Sequence, residues 1–247
     1  MIRDIGTIVW KEAKEILFQR GNLRGGWIGL LVFVGVFGIF MPLQSGPDWV
    51  KSPVGLIIWA WVPFLLVSGV VADSFAGERE RHTLETLLAS RLSDRAILFG
   101  KIASSIAYGW GLTMLSVLLS LITINVVNNQ GGLILYPLTI GLAIVGFSFL
   151  VATLAAGLGV LVSLRAATVR QAQQTFSIAF FLLFIPLFLL PLLPNLPEEW
   201  QARIVDIATN LNPSTIMLVA AIFLLAIDLV LNSMAMARFK RDRLILD

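Results

Sequence analysis

The thirty residues from Ala72 to Lys101, ADSFAGERERHTLETLLASRLSDRAILFGK, separate two long apolar runs. Ten of them are charged: Asp73, Glu78, Arg79, Glu80, Arg81, Glu85, Arg91, Asp94, Arg95 and Lys101. At about 2.5–3.5 kcal/mol each, ten charges would cost roughly 25–35 kcal/mol at a bilayer centre, so the stretch belongs in water. It is also patterned. Leu84, Leu87 and Leu88 recur at helical spacing, which predicts an apolar stripe with a surface to face. The spacing predicts one helix over Glu78–Ser90, with Glu78–His82 and Arg81–Glu85 as i, i+4 pairs. Ser93 or Asp94 is placed to cap the next helix.

On either side the chain reads as membrane. It is 57% hydrophobic and 13% charged, with a mean hydropathy of +0.88, whereas soluble domains average about 25% charged. Charge-free runs cover 25–47, 52–72, 102–164, 171–197 and 207–227. The third is long enough for two spans, and a polar break from Asn125 to Gly132 divides it. These runs predict an all-α integral membrane protein with six spans, about 26–43, 54–72, 102–124, 134–163, 176–194 and 214–236. They are continuously apolar and do not alternate, which argues against a barrel. A charged segment precedes the first run without a cleavage signature, so no signal peptide is expected. Cysteine is absent, which excludes disulfides and thiolate metal sites.

Sixteen of the eighteen Lys and Arg residues fall in the N-terminal segment, the 73–101 loop, the 164–175 loop and the tail. Only Lys51 and Arg203 fall on the other side. By the positive-inside rule both termini are cytoplasmic, in the plasma (inner) membrane, as an even span count requires. The pI of about 9.6 points to anionic lipid headgroups as partners more readily than to nucleic acid.

Ahead of the first span, Ile5, Ile8, Val9, Ala13, Ile16 and Leu17 form one stripe, and Lys11, Lys14 and Glu15 lie off it. This predicts an amphipathic interfacial helix, either a membrane anchor or an anchor that also meets a cytoplasmic partner. Small residues on span 4 (Ser148, Ala152, Ala156, Gly159, Ser163) mark a close-packing face. Pro186, Pro191 and Pro194 predict a broken fifth span with re-entrant pieces. Pro197-Glu198-Glu199 predicts a short outer amphipathic helix between spans 5 and 6. Asn212-Pro213 reads as the cap and first turn of span 6.

Several chemistries are excluded. No P-loop signature occurs, so any ATP and Mg are expected on another chain and no cofactor on this one. Glu198-Glu199-Trp200-Gln201-Ala202-Arg203 matches a string found in intramembrane proteases, but that chemistry needs histidines for a metal. The only histidine, His82, lies on the opposite side. Asp228 is the one charge inside a span, with Asn232 a turn further on. It is either a point on a transport path or an internally satisfied polar group.

The run Gly77-Glu78-Arg79-Glu80-Arg81, then Thr83–Ser90, Leu92-Ser93 and Gly100-Lys101, resembles the permease family of type-2 ABC transporters. The resemblance covers essentially the whole chain and implies six spans with cytoplasmic ends. It implies that the 78–90 segment is a coupling helix docking into a groove of an ABC ATPase subunit, and that two permease copies, identical or closely paralogous, pair. Glu78, Arg79, Arg81, Leu84, Glu85, Leu87 and Leu88 would then carry coupling, with Arg165 and Arg170 of the second inner loop as secondary contacts. His82 stands where the family often has Gly, and Arg91 where it often has Pro. On this view the chain is a non-enzymatic export subunit. The competing class is a stand-alone, ion-coupled secondary transporter with Asp228 as relay. The uncharged, aromatic-rich outer surfaces suit a hydrophobic substrate.

Overall fold

A computed structural model describes residues 2–16, 23–128, 132–189, 197–201, 203 and 212–239. Among them the ordered elements are helical. α1 is Ile2–Lys14, and the first span is α2 (Leu23–Gly35) continued through a π-turn, Val36–Phe40, into α3 (Met41–Ser45). α4 (Asp48–Lys51) leads into α5 (Pro53–Ala72), a second π-turn (Asp73–Gly77) and α6 (Glu78–Glu80). The remaining elements are α7 (Leu84–Leu88), α8 (Asp94–Val127), α9 (Leu138–Ser163), α10 (Val169–Leu189) and α11 (Pro213–Arg238).

Among the described residues five stretches are long and apolar enough to cross a membrane: Ile28–Ser45, Gly55–Glu80, Asp94–Val127, Leu138–Ser163 and Ser214–Arg238. The expected span at 176–194 is represented by α10 up to Leu189, and its last five positions lie outside the described residues. Residues 198–201 are helical; the rest of the expected outer helix and re-entrant region lies outside the described residues.

Two expected boundaries move. Helix runs past the expected end near 43 to Ser45, because the π-turn ahead of Pro42 relieves the ring's clash with the backbone one turn back. Pro42 has no N–H to offer Gly38 O, and Thr123 Oγ1 of α8 donates to that carbonyl instead, at 2.9 Å. The second span does not stop at Ala72 but stays helical to Glu80. Its π-turn displaces backbone donors from their usual acceptors, and Ser163 at the end of α9 meets them. Phe75 N and Ala76 N both donate to Ser163 Oγ, at 3.3 and 2.9 Å, and that hydroxyl donates to Ala72 O at 3.1 Å.

α9 is the central element, packed on α5 along one side and α11 along another. Its small residues allow this. A Cβ at Gly159 would collide with Val71 and Phe176, so α5, α9 and α10 approach there as only glycine permits. The main core gathers Phe64, Val67, Val71, Phe75, Ile97, Leu98, Leu154 and Phe176, and it lies toward the Lys101 end of the bundle. A second cluster around Trp49, Trp59, Ile124 and Ile144 closes the opposite end, where Trp59 Nε1 donates to Tyr136 Oη at 3.1 Å. Outside these clusters Leu31, Leu118, Ile122, Leu142, Phe223 and Leu229 point outward, as lipid-facing residues do.

α1 does not rest on lipid alone. It packs along α8, with Ile8 only 2% exposed, and a Cβ at Gly100 would fall 2.5 Å from Ile8. Trp10 stays 65% exposed on its other side.

Candidate functional site

The charged end of the bundle is built around one buried lysine. Lys101 lies in the second turn of α8 and is 1% exposed. Its Nζ donates to Glu12 Oε1 of α1 at 2.7 Å, to Glu78 Oε1 of α6 at 3.0 Å, and to Ser74 O in the π-turn at 2.8 Å. α1 and the end of the second span thus converge on a single ammonium of α8. Lys11 adds a second cation, 2.9 Å from Glu78 Oε1 and 3.3 Å from Glu15. Burial works against the Lys11 ammonium, but Glu78, Glu12 and Glu15 outweigh it and hold its pKa above the usual lysine value. Glu12, Glu15 and Glu78 bring carboxylate oxygens within 4.8 Å of one another, and the positive charge among them comes from Lys11 and Lys101.

The segment after α5 is then braced to the α9–α10 connection. Arg79 donates from Nη1 to Ala166 O at 2.8 Å and from Nη2 to Leu164 O at 3.0 Å, meeting carbonyls released at the end of α9. Glu80 Oε2 accepts from Val169 N, at 3.1 Å, at the start of α10. A cation at a helix C-terminus and an anion at an N-terminus are both favoured by the helix dipole. Arg81 turns back and pairs with Asp73 at 3.1 Å.

The expected single helix over 78–90 is not formed. It breaks after Glu80, His82 takes φ +57°, and a new turn begins at Leu84. Left-handed backbone is why glycine suits this position, and histidine adopts it at some cost. Thr83 N closes the turn onto Glu78 O at 2.8 Å, so Glu78–His82 and Arg81–Glu85 are not stacked on one face. In α7, Leu84 is 6% exposed and joins the main core, and Leu87 is half-buried against the same cluster. The leucines therefore point first into their own chain. The side chain of Leu88 lies outside the described residues. Arg81, His82, Thr83, Glu85, Thr86, Ala89 and Arg91 face outward. As expected, Ser93 caps α8, accepting from Ala96 N at 3.3 Å.

The sequence-predicted residues thus divide into two sets. Glu78, Arg79 and Leu84 hold the segment in place, and Arg81 and Glu85 are presented outward. Arg165 is exposed on the neighbouring connection and Arg170 in the first turn of α10. Asp228 and Asn232 lie on the packed side of α11 and make no contact with the Lys101 cluster among the described residues. Glu12, Ser74, Ser163 and the burial of Lys101 were missed, since no local pattern joins residues that far apart. The spacing of Glu12 on the Ile5–Ile8 stripe of α1 was the one available signal. A cavity of about 1000 Å³ opens beside the cluster, lined by Lys11, Glu15, Asp73, Arg81, Thr86 and Gln173 among others. The arrangement is mechanical: it fastens two inner connections, α1 and the second span into one body.

A family profile described as ABC-2 family transporter protein matches residues 52–238, which include α5 through α11 and the whole braced segment. The chain belongs to the ABC-2 transporter family. No curated protein matches it. It is a multi-pass permease, and ABC-2 permeases generally pair with an ABC ATPase. The match starts after α1, so the helix that supplies Glu12 to this permease lies outside the matched region.

Proposed function

We propose that this permease is the membrane subunit of an ATP-driven exporter and that a separate ATPase chain, carrying ATP and Mg, grips the segment from Arg81 to Ser93. In this reading six spans place both termini in the cytoplasm of a plasma membrane, and two permease copies, identical or closely paralogous, sit on two ATPase subunits. The concentration of Lys and Arg at the Lys101 end supports that orientation. The observation that carries the reading is the division within one short segment. Leu84 is buried in the core, and Arg79 and Glu80 are bonded to the second connection, while Arg81, His82, Glu85 and Thr86 project outward. A lever needs both a fixed root and a free contact face. Motion imposed on the exposed face would pass through Glu78 and Lys101 into the second and third spans.

The exposed pair tests this without touching the core. Glu85→Lys with Thr86→Arg should leave the permease folded but abolish co-purification with its ATPase and substrate-stimulated ATP turnover. Undiminished turnover would refute the docking role. Leu87→Asp is a poorer probe, because Leu87 also packs against the core.

We place Asp228 and Asn232 on or beside the transport path. Asp228 is 5% exposed on the packed side of α11, and neither carboxylate oxygen has a hydrogen-bond partner among the described residues. Asn232 Nδ2 donates to the Asp228 main-chain oxygen at 2.8 Å and leaves the carboxylate unanswered. Full export by Asp228→Leu would remove it from the path. Family membership argues against the stand-alone, ion-coupled alternative.

A further inference from the structure

A second cavity lies at the same end of the bundle but on another face, where α9, α10 and α11 meet. It encloses about 380 Å³, the size of a small-ligand site. Arg165 and Arg238 line it, with Gln171, Thr175, Leu161 and Met234. Among the described residues no acidic side chain lines it. Neither arginine, both exposed, has an ion pair or hydrogen bond among the described residues. Gln171 accepts from Ala167 N with its side-chain oxygen, at 2.9 Å, and its NH₂ group has no acceptor among the described residues. Thr175 is already committed to Gln171 O at 3.0 Å. The site therefore offers donors and positive charge, with apolar walls beneath them.

We infer that this cavity binds the headgroup of an anionic phospholipid. Two guanidinium groups suit a phosphate, which they can engage through paired hydrogen bonds. The apolar walls and the position distinguish a lipid from a soluble anion. The cavity lies at the ends of the spans, and Met234, 40% exposed, continues its wall onto the outward face of α11. Basic pockets between spans at a membrane surface are the usual seats of such headgroups. Arg79 bonds to Ala166 O, and Ala166 forms part of this cavity. A headgroup here would thus sit one residue from the brace that anchors the 78–90 segment. The inference needs only that this end of the bundle meets a membrane surface, and it stands apart from the ATPase reading.

The full chain, purified in mild detergent, would be offered equal phosphatidylglycerol and phosphatidylcholine and the retained lipids counted by native mass spectrometry. The wild-type permease should favour phosphatidylglycerol by about 30-fold at low salt if each arginine contributes its usual surface attraction. Arg165→Gln with Arg238→Gln should abolish that preference. Both positions are exposed, so the folded state should be kept. Leu161→Trp, which fills the cavity while keeping both charges, should abolish it as well. Arg91→Gln with Arg95→Gln, the same charge change elsewhere, should not. The assignment is overturned by equal retention in the wild type, or by equal loss in the Arg91/Arg95 variant, which would mean diffuse charge attraction. It is likewise overturned if Leu161→Trp keeps the preference, or if millimolar inorganic phosphate displaces the lipid completely, which would make this a soluble-anion site. Loss of the ATPase with lipid retained in the Arg165/Arg238 variant would make the cavity a protein contact instead.

Discussion

Lys101→Met removes the group that ties α1 and the end of the second span to α8, and the structure sets the scale of the loss. The ammonium is 1% exposed and makes three hydrogen bonds of 2.7, 2.8 and 3.0 Å. Breaking a buried pair by removing one partner costs about 3–5 kcal/mol, since the other charge stays buried. Two features pull the figure to the lower end. Lys11 remains 2.9 Å from Glu78, and it lies 3.8 Å from Glu12. We therefore expect a loss of about 3 kcal/mol, a large share of a typical stability of about 5–15 kcal/mol. Adding Glu12→Leu removes the stranded carboxylate, so the double variant should be less destabilised than the sum of the singles by about 1–2 kcal/mol. Unfolding in mixed detergent and SDS, followed by tryptophan fluorescence, measures both quantities. Limited proteolysis should show α1 cut faster in Lys101→Met than in wild type. A cost below about 1 kcal/mol, or additivity of the two substitutions within about 0.5 kcal/mol, would refute the fastening role.

Two other positions give separate tests. Ser163→Ala strands Phe75 N and Ala76 N in the π-turn and should cost about 1–3 kcal/mol, with faster hydrogen exchange confined to residues near 75 and 76; unchanged exchange there would contradict the bridge. At His82, held at φ +57°, glycine removes a left-handed cost of about 1–2 kcal/mol but adds about 0.5–1 kcal/mol of chain entropy, so His82→Gly should be neutral to slightly stabilising. His82→Val should be clearly destabilising, and thermal melting that ranks Val above Gly would contradict the assigned turn.

Much of the architecture was legible because charge is costly in a bilayer. The gaps between charged residues located the spans, and Asn125 marked the end of α8, where its side chain bonds to Ile134 N and O at 2.7 and 2.8 Å. Caps were equally readable: Asn212 accepts from Ser214 N at 3.1 Å, as its position before Pro213 predicts. What failed were features set by distant partners. The π-turn after Ala72 has no local signature, since Ser163, some ninety positions away, supplies what stabilises it. The burial of Lys101 left no trace in the local sequence, because its counter-charges are brought to it by tertiary packing. The break in the 78–90 helix was signalled by His82 in a glycine position, but leucine periodicity outweighed it. That same periodicity was correct about an apolar stripe and wrong about what Leu84 touches.

The triple junction at Lys101 also constrains how such a permease can be recombined. A hybrid whose crossover falls between residues 13 and 100 takes Glu12 from one parent and Lys101 from the other. Unless both parents carry the matching partner, the buried cluster loses its shortest ion pair. The amino-terminal helix, though outside the family match, is therefore inherited with the third span, and natural shuffling of these subunits should spare that linkage.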